Sequence, residues 1–185
     1  MHRKLLTVSL IALTLAFSGC AATGSNVDKN TPAPTQTFDP AKIPSTPDAN
    51  ALAVDPKVFD NTFGEYTFKV GDGPTWCTMN PTDDFAVCEQ NEADATYDPV
   101  TAPSSCKLSY GYQMKLWGAK PSKGDISEFT CSSGLYADPS TAQTLNPGET
   151  LTVGNVTCFV KETTARCDNK LGNYIVLGPE VWALG

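Results

Sequence analysis

Six of the seven cysteines fall between residues 77 and 167: Cys77, Cys88, Cys106, Cys131, Cys158 and Cys167. An even set in an exported chain marks a disulfide framework. Three cross-links restrict the fold more than any composition value does. Thr75-Trp76-Cys77-Thr78-Met79 and Phe85-Ala86-Val87-Cys88-Glu89 are β-rich runs on either side of the turn-forming Asn80-Pro81-Thr82-Asp83-Asp84. Folded about that turn, Cys77 faces Cys88. Val156–Val160 and Ala165–Asp168 fold likewise about Lys161–Thr164 and bring Cys158 opposite Cys167. Directly opposed residues on antiparallel strands have Cα atoms roughly 4.5–5.5 Å apart, a distance that a disulfide spans. Cys106 and Cys131 remain for each other. In chain-entropy terms each bridge is worth about 3 kcal/mol.

The start of the chain supplies the address. His2, Arg3 and Lys4 precede an apolar run from Leu5 to Phe17, which is short for a membrane-spanning helix. Phe17-Ser18-Gly19-Cys20 resembles the lipobox of bacterial lipoproteins, with Phe17 where Leu is usual. The resemblance implies that residues 1–19 are a signal peptide and that Cys20 is acylated and becomes the N-terminus. Acyl chains contribute about 0.8 kcal/mol per buried CH₂, so the bilayer is the first expected partner. The expected location is the extracytoplasmic face of the cell membrane. Cleavage would carry away Arg3 and Lys4, two of the 13 basic residues, and take the formal charge from −7 to −9. An acidic chain of this kind is no nucleic-acid binder.

Residues 20–57 read as a linker rich in Thr, Pro, Ala, Ser and Asn, with Phe38 and Ile43 too isolated to build a core. A short helix near Ala49–Val54, capped by Asp48, is expected within it. Thr31, Thr35 and Thr37 lie among prolines in a composition that suits O-glycosylation.

Residues 58–185 read as one all-β domain, a disulfide-stapled sandwich or barrel-like fold of short antiparallel strands. Tyr66, Phe68 and Val70 share one face of a strand. Leu108, Tyr110, Tyr112, Met114 and Leu116 alternate across Lys107 to Trp117. Ser127–Cys131, Thr150–Val153 and Tyr174–Leu177 complete the strands, and Gly or Pro punctuates the gaps. Gly73 four residues before Cys77 and Gly154 four before Cys158 form an internal echo. It suggests a duplicated or three-part architecture.

At these residues the chain resembles a family of secreted and lipoprotein domains from actinobacteria whose function is unknown. The pattern covers about residues 66–185. It runs through Phe68, Gly73 and Cys77, then Cys88-Glu89, Cys106, Trp117-Gly118 and Phe129-Thr130-Cys131. It ends with Leu145, Gly148, Leu151, Gly154, Cys158, Cys167 and Asn169. The chain departs from it at Gly172-Asn173-Tyr174-Ile175, where the family often has Gly-His-Gly-Phe. The resemblance implies export and a stapled β fold, and no activity.

The chemistry is bounded by what is missing. The only histidine is His2, inside the expected signal peptide. The mature chain therefore has no Ser-His-Asp or Cys-His machinery and no His-ligated metal site. With six cysteines bridged and Cys20 acylated, no thiolate remains as nucleophile. No cofactor and no metal site is expected. The acidic stretch Asn91–Asp98 lacks the Gly-enabled turn of a calcium loop. The remaining enzymatic route is a carboxylate pair acting on cell-wall glycan, drawn from Asp83, Asp84, Glu89, Glu92, Asp94, Glu128, Glu149 and Asp168. Such an enzyme needs a cleft with two convergent carboxylates, one of raised pKa. The favoured expectation is a non-enzymatic module that binds an envelope protein, glycan or lipid. Trp117 and Trp76 are its candidate contact residues, because an exposed indole ring offers a large rigid contact area.

Overall fold

The structure, a computed structural model, describes residues 39–45, 47 and 50–185. The expected signal peptide, Cys20, Thr31, Thr35 and Thr37 lie outside the described residues. Strand β1 (Leu52–Ala53) leads a meander of β2 (Tyr66–Val70), β3 (Trp76–Asn80), β4 (Phe85–Glu89), β5 (Gln113–Trp117) and β6 (Ser127–Phe129). Strand β7 (Gln143–Leu145) leads a second meander of β8 (Glu149–Val153), β9 (Val156–Lys161), β10 (Thr164–Asn169), β11 (Tyr174–Gly178) and β12 (Val181–Leu184). Within each meander, neighbouring strands pair antiparallel. The lead strands are exchanged. β7 adds in parallel to β2 of the first meander, and β1 adds in parallel to β8 of the second. The result is two six-stranded mixed sheets packed as a sandwich, not a closed barrel.

Of the helix expected near Ala49–Val54, Asp48 and Ala49 lie outside the described residues, and Leu52–Ala53 form strand β1 instead. Leu52 N donates to Gly148 O and Val54 N to Thr150 O, so the edge of β8 supplies the partners that an isolated helical turn lacks.

Alternation decides what is buried. Phe68, Val70, Cys77, Met79, Met114 and Leu116 of the first sheet meet Leu151, Val156, Cys158, Cys167, Ile175 and Leu177 of the second, all nearly fully buried. Cys77–Cys88, Cys106–Cys131 and Cys158–Cys167 are bonded, the sequential pairing read from the hairpins. The two hairpin bridges each join directly opposed residues and occupy equivalent positions in the two meanders. They meet in the core, where Cys88 Sγ lies 3.7 Å from Cys167 Sγ.

The halves also lock at their turns. Gly71 follows Val70 at the end of β2, and Gly154 follows Val153 at the end of β8; both have positive φ, 52° and 60°. Each faces the hairpin tip of the other half. A Cβ on Gly71 would stand 2.3 Å from Glu162 O, and one on Gly154 would stand 2.5 Å from an Asp84 carboxylate oxygen. Asp84 and Glu162 are themselves the two non-glycine residues with positive φ among the described residues. The counterpart of Gly154 is thus Gly71 and not the Gly73 of the sequence echo, and the architecture is a two-part plan, in which each half supplies a lead strand and a turn pocket to the other.

The long strand expected over Lys107–Trp117 is shorter. Gly111, at φ 98°, ends the regular pairing, and only Gln113–Trp117 forms β5. Leu108 is left exposed. Residues 132–142 then fold as a flap across the outer side of the first sheet. Residues 40–45 lie as a strap against the second sheet: Pro44 is buried, Arg166 Nη1 donates to Pro44 O, Lys161 Nζ donates to Ala41 O, and Lys42 pairs with Glu180.

Candidate functional site

The outer side of the first sheet gathers the aromatic residues. On β5, Met114 and Leu116 point to the core, so alternation sends Lys115 and Trp117 outward, where both are half-buried. The opposed pair Phe85 and Trp117 packs edge to face at 5.4 Å, and Tyr136 from the flap packs on Phe85 at 5.7 Å. The Lys115 ammonium sits 3.7 Å from both the Phe85 and Trp117 ring centroids. Burial between the rings lowers its pKa, against the opposing pull of Glu128 and Asp83. The Trp117 indole N–H is shielded and has no hydrogen-bond partner. The ring is therefore positioned by packing and by the Lys115 cation, not by a hydrogen bond. Tyr136 is 40% exposed and its neighbour Leu135 57%, so the ring cluster reaches solvent through the flap. The Tyr136 hydroxyl donates to Glu65, and burial together with that carboxylate pushes its pKa up to about 12.

Trp76 takes a different part. It is 3% exposed, so its ring belongs to the interior and not to a surface platform. Its indole N–H donates to Glu89 (2.8 Å) and to Ala137 O (3.1 Å). Glu89 is 2% exposed and also accepts from Tyr136 N at 2.8 Å, Ala137 N at 3.0 Å and Gln113 Nε2 at 2.8 Å. A buried carboxylate needs such donors in place of water. Glu89 and Trp76 are the clamp that holds the flap, and through it Tyr136, on the sheet. That role was hidden in the sequence, because the donors lie up to 48 residues from the acid.

Four of the other candidate acids are held by separate partners. Asp84 accepts from Asn155 N and Nδ2, Asp94 from Asn91, Glu149 from Asn146 N, and Asp168 from Arg166. Asn91–Asp98 opens with a single 3₁₀ turn at Glu92–Asp94. Glu128 is the exception. It shares an open pocket of about 410 Å³ with Asp125, Tyr110 and the Cys106–Cys131 bridge. Desolvation, then the nearby Asp125 charge, raises its pKa, and Lys115 opposes the shift. Asp125 is not among the acids singled out from the sequence. The close grouping of Cys77, Cys88 and Cys167 is one of bonded sulfurs in the core, not of ligands.

Among the described residues no helix is long and apolar enough to cross a membrane. Compared with known protein families, with curated proteins and with solved structures, the chain matches none.

Proposed function

We propose that this chain is an envelope lipoprotein, anchored through an acylated Cys20 on the extracytoplasmic face of the membrane. Its sandwich acts as a non-enzymatic binding module. In this reading the contact surface is the Trp117–Phe85–Tyr136 face, and its ligand is an envelope protein or glycan. The observation that carries it is the run of touching rings that opens to solvent at Tyr136 and Leu135. Aromatic faces bordered by Glu65, Asn80 and Lys115 suit partners that combine apolar and hydrogen-bonding surface. Two of the acids beside the rings are engaged: Glu65 accepts from Asn80 and Tyr136, and Glu89 holds the flap.

The test is capture from intact cells by cross-linking to the anchored protein. Trp117→Ala should lower recovery of the captured partner at least about tenfold, the size of a central aromatic contact, while the three bridges stay formed. Unchanged recovery would sink this surface. Cys20→Ala should move the protein out of the membrane fraction, and its retention there would sink the anchor. A second reading, carboxylate-based hydrolysis of cell-wall glycan, has one observation in its favour, the Asp125–Glu128 pocket with its raised Glu128. Glycan release that disappears in Glu128→Gln would favour it over the binding module.

A further inference from the structure

The three disulfides differ in what can reach them. Cys77, Cys88, Cys158 and Cys167 are 0–1% exposed, shut between the two sheets. Cys131 is exposed, and its partner Cys106 is 9% exposed. Cys131 stands where β6 gives way to the flap. Beside this bridge lies the pocket of about 410 Å³ whose wall carries Asp125 and Glu128 and no cationic side chain. Lys115, opposite Glu128 in the strand register, has its ammonium held between the Phe85 and Trp117 rings. A thiol that brings its sulfur to Cys131 must place its substituent against these two acids.

We propose that the Cys106–Cys131 bridge is a site of reversible covalent modification by small thiols, and that Asp125 and Glu128 select neutral or cationic thiols over anionic ones. A thiolate attacks Cys131 Sγ and forms a new S–S bond there. The bond to Cys106 breaks, and its electron pair leaves on Cys106 Sγ, which takes a proton from solvent. The products are a mixed disulfide at Cys131 and a free thiol at Cys106. Cys106 Sγ lies 3.6 Å from Leu108 O, so the new S–H has an acceptor in place. Attack by Cys106 on Cys131 reverses the step and releases the small thiol, with no outside oxidant. The core bridges stay out of the reaction, because exchange requires access of the attacking sulfur.

The folded protein is treated with cysteamine, which is cationic, or with mercaptoethanesulfonate, which is anionic, at equal thiolate concentration. The reaction is quenched with acid and the cysteine peptides are mapped by mass. The adduct should appear on Cys131 with Cys106 free and the other two bridges intact. Cysteamine should react about fivefold faster, the scale of one ion–ion contact in water. The preference should shrink as salt is raised on the unaltered protein. It should fall to about one in the Asp125→Asn, Glu128→Gln double variant. An adduct on any core cysteine ahead of Cys131 overturns the proposal, as does equal reaction with both thiols. A charge preference that survives the double variant, or reaction only after unfolding, overturns it equally.

Discussion

The two meanders carry the same hairpin staple and cover their outer faces in opposite ways. The second cysteine of each staple is followed by an acid, Glu89 in the first and Asp168 in the second. Glu89 is sealed by neutral donors, from Trp76, Gln113 and the backbone of the flap. Asp168 is held by a cation, Arg166, which also donates to the strap at Pro44 O and lies 4.0 Å over the Tyr174 ring. One cover is clamped by a buried carboxylate. The other is pinned from outside by Lys161 and Arg166 on backbone carbonyls. The difference teaches that a shared β plan leaves the outer face free to diverge. A cover that removes a charge from water must satisfy it fully, whereas a cover held by a few contacts from Lys161 and Arg166 to backbone carbonyls adds less and can detach.

The largest expected effect is at this pair of acids. Glu89→Ala strands several buried donors and should cost about 3–5 kcal/mol. Asp168→Ala, in a partly exposed ion pair, should cost about 1 kcal/mol or less. Urea unfolding of both variants checks this, and equal losses would break the comparison.

The turn pockets come next. Gly71→Ala would put a Cβ against the Glu162 carbonyl, which cannot swing aside, and should cost about 2–3 kcal/mol. Gly154→Ala would meet a side-chain carboxylate, which can yield, and should cost about 1–2 kcal/mol. Thermal unfolding that ranks them the other way would show that the two turns do not play matching parts.

The alkaline limb sharpens the account of the flap. The Tyr136 pKa is raised from its ordinary 10.0 to about 12. Its contribution is therefore complete below pH 10 and is lost as pH climbs toward 12. Tyr136→Phe should flatten stability against pH across that interval, as followed by denaturation at fixed pH steps. Lys115, with a lowered pKa, acts in the opposite sense, because the unfolded chain then holds more protons than the folded one.

The smallest effect on the sandwich is expected from Arg166→Ala, at under about 1 kcal/mol. Limited proteolysis between residues 40 and 50 should nevertheless quicken several-fold, since Arg166 holds Pro44 O. A strap cleaved no faster would mean that Arg166 does not pin it.

The strands around Cys77, Cys88, Cys158 and Cys167 were legible because their signal is local. β-rich runs flank turn residues, and the cysteines then fall opposite each other. Trp117 turns away from Met114, because alternation is a property of a single strand. Lys107–Trp117 misled, since apolar alternation continued through Tyr110 and Tyr112 while Gly111 had already ended the pairing. Trp76 and Trp117 look alike as ring-bearing strand residues. What separates them is the flap, which buries one and leaves the other half-open. The two-residue β1 and the three-residue β7 were missed for a related reason. Their hydrogen bonds lie in strands far along the chain, and nothing in so few residues announces a strand.

By itself the sequence determined what short range can determine: an all-β chain, two cysteine hairpins with their pairing, and a composition whose single histidine is His2. Contact between distant segments decided the rest. Only the packed sandwich exchanges the lead strands, seats Cys88 beside Cys167, and turns Glu89 from one acid among many into the clamp of a flap. The physical reason is that a side chain's burial and its hydrogen-bond partners are properties of what folds over it. Here that cover arrives from tens of residues away.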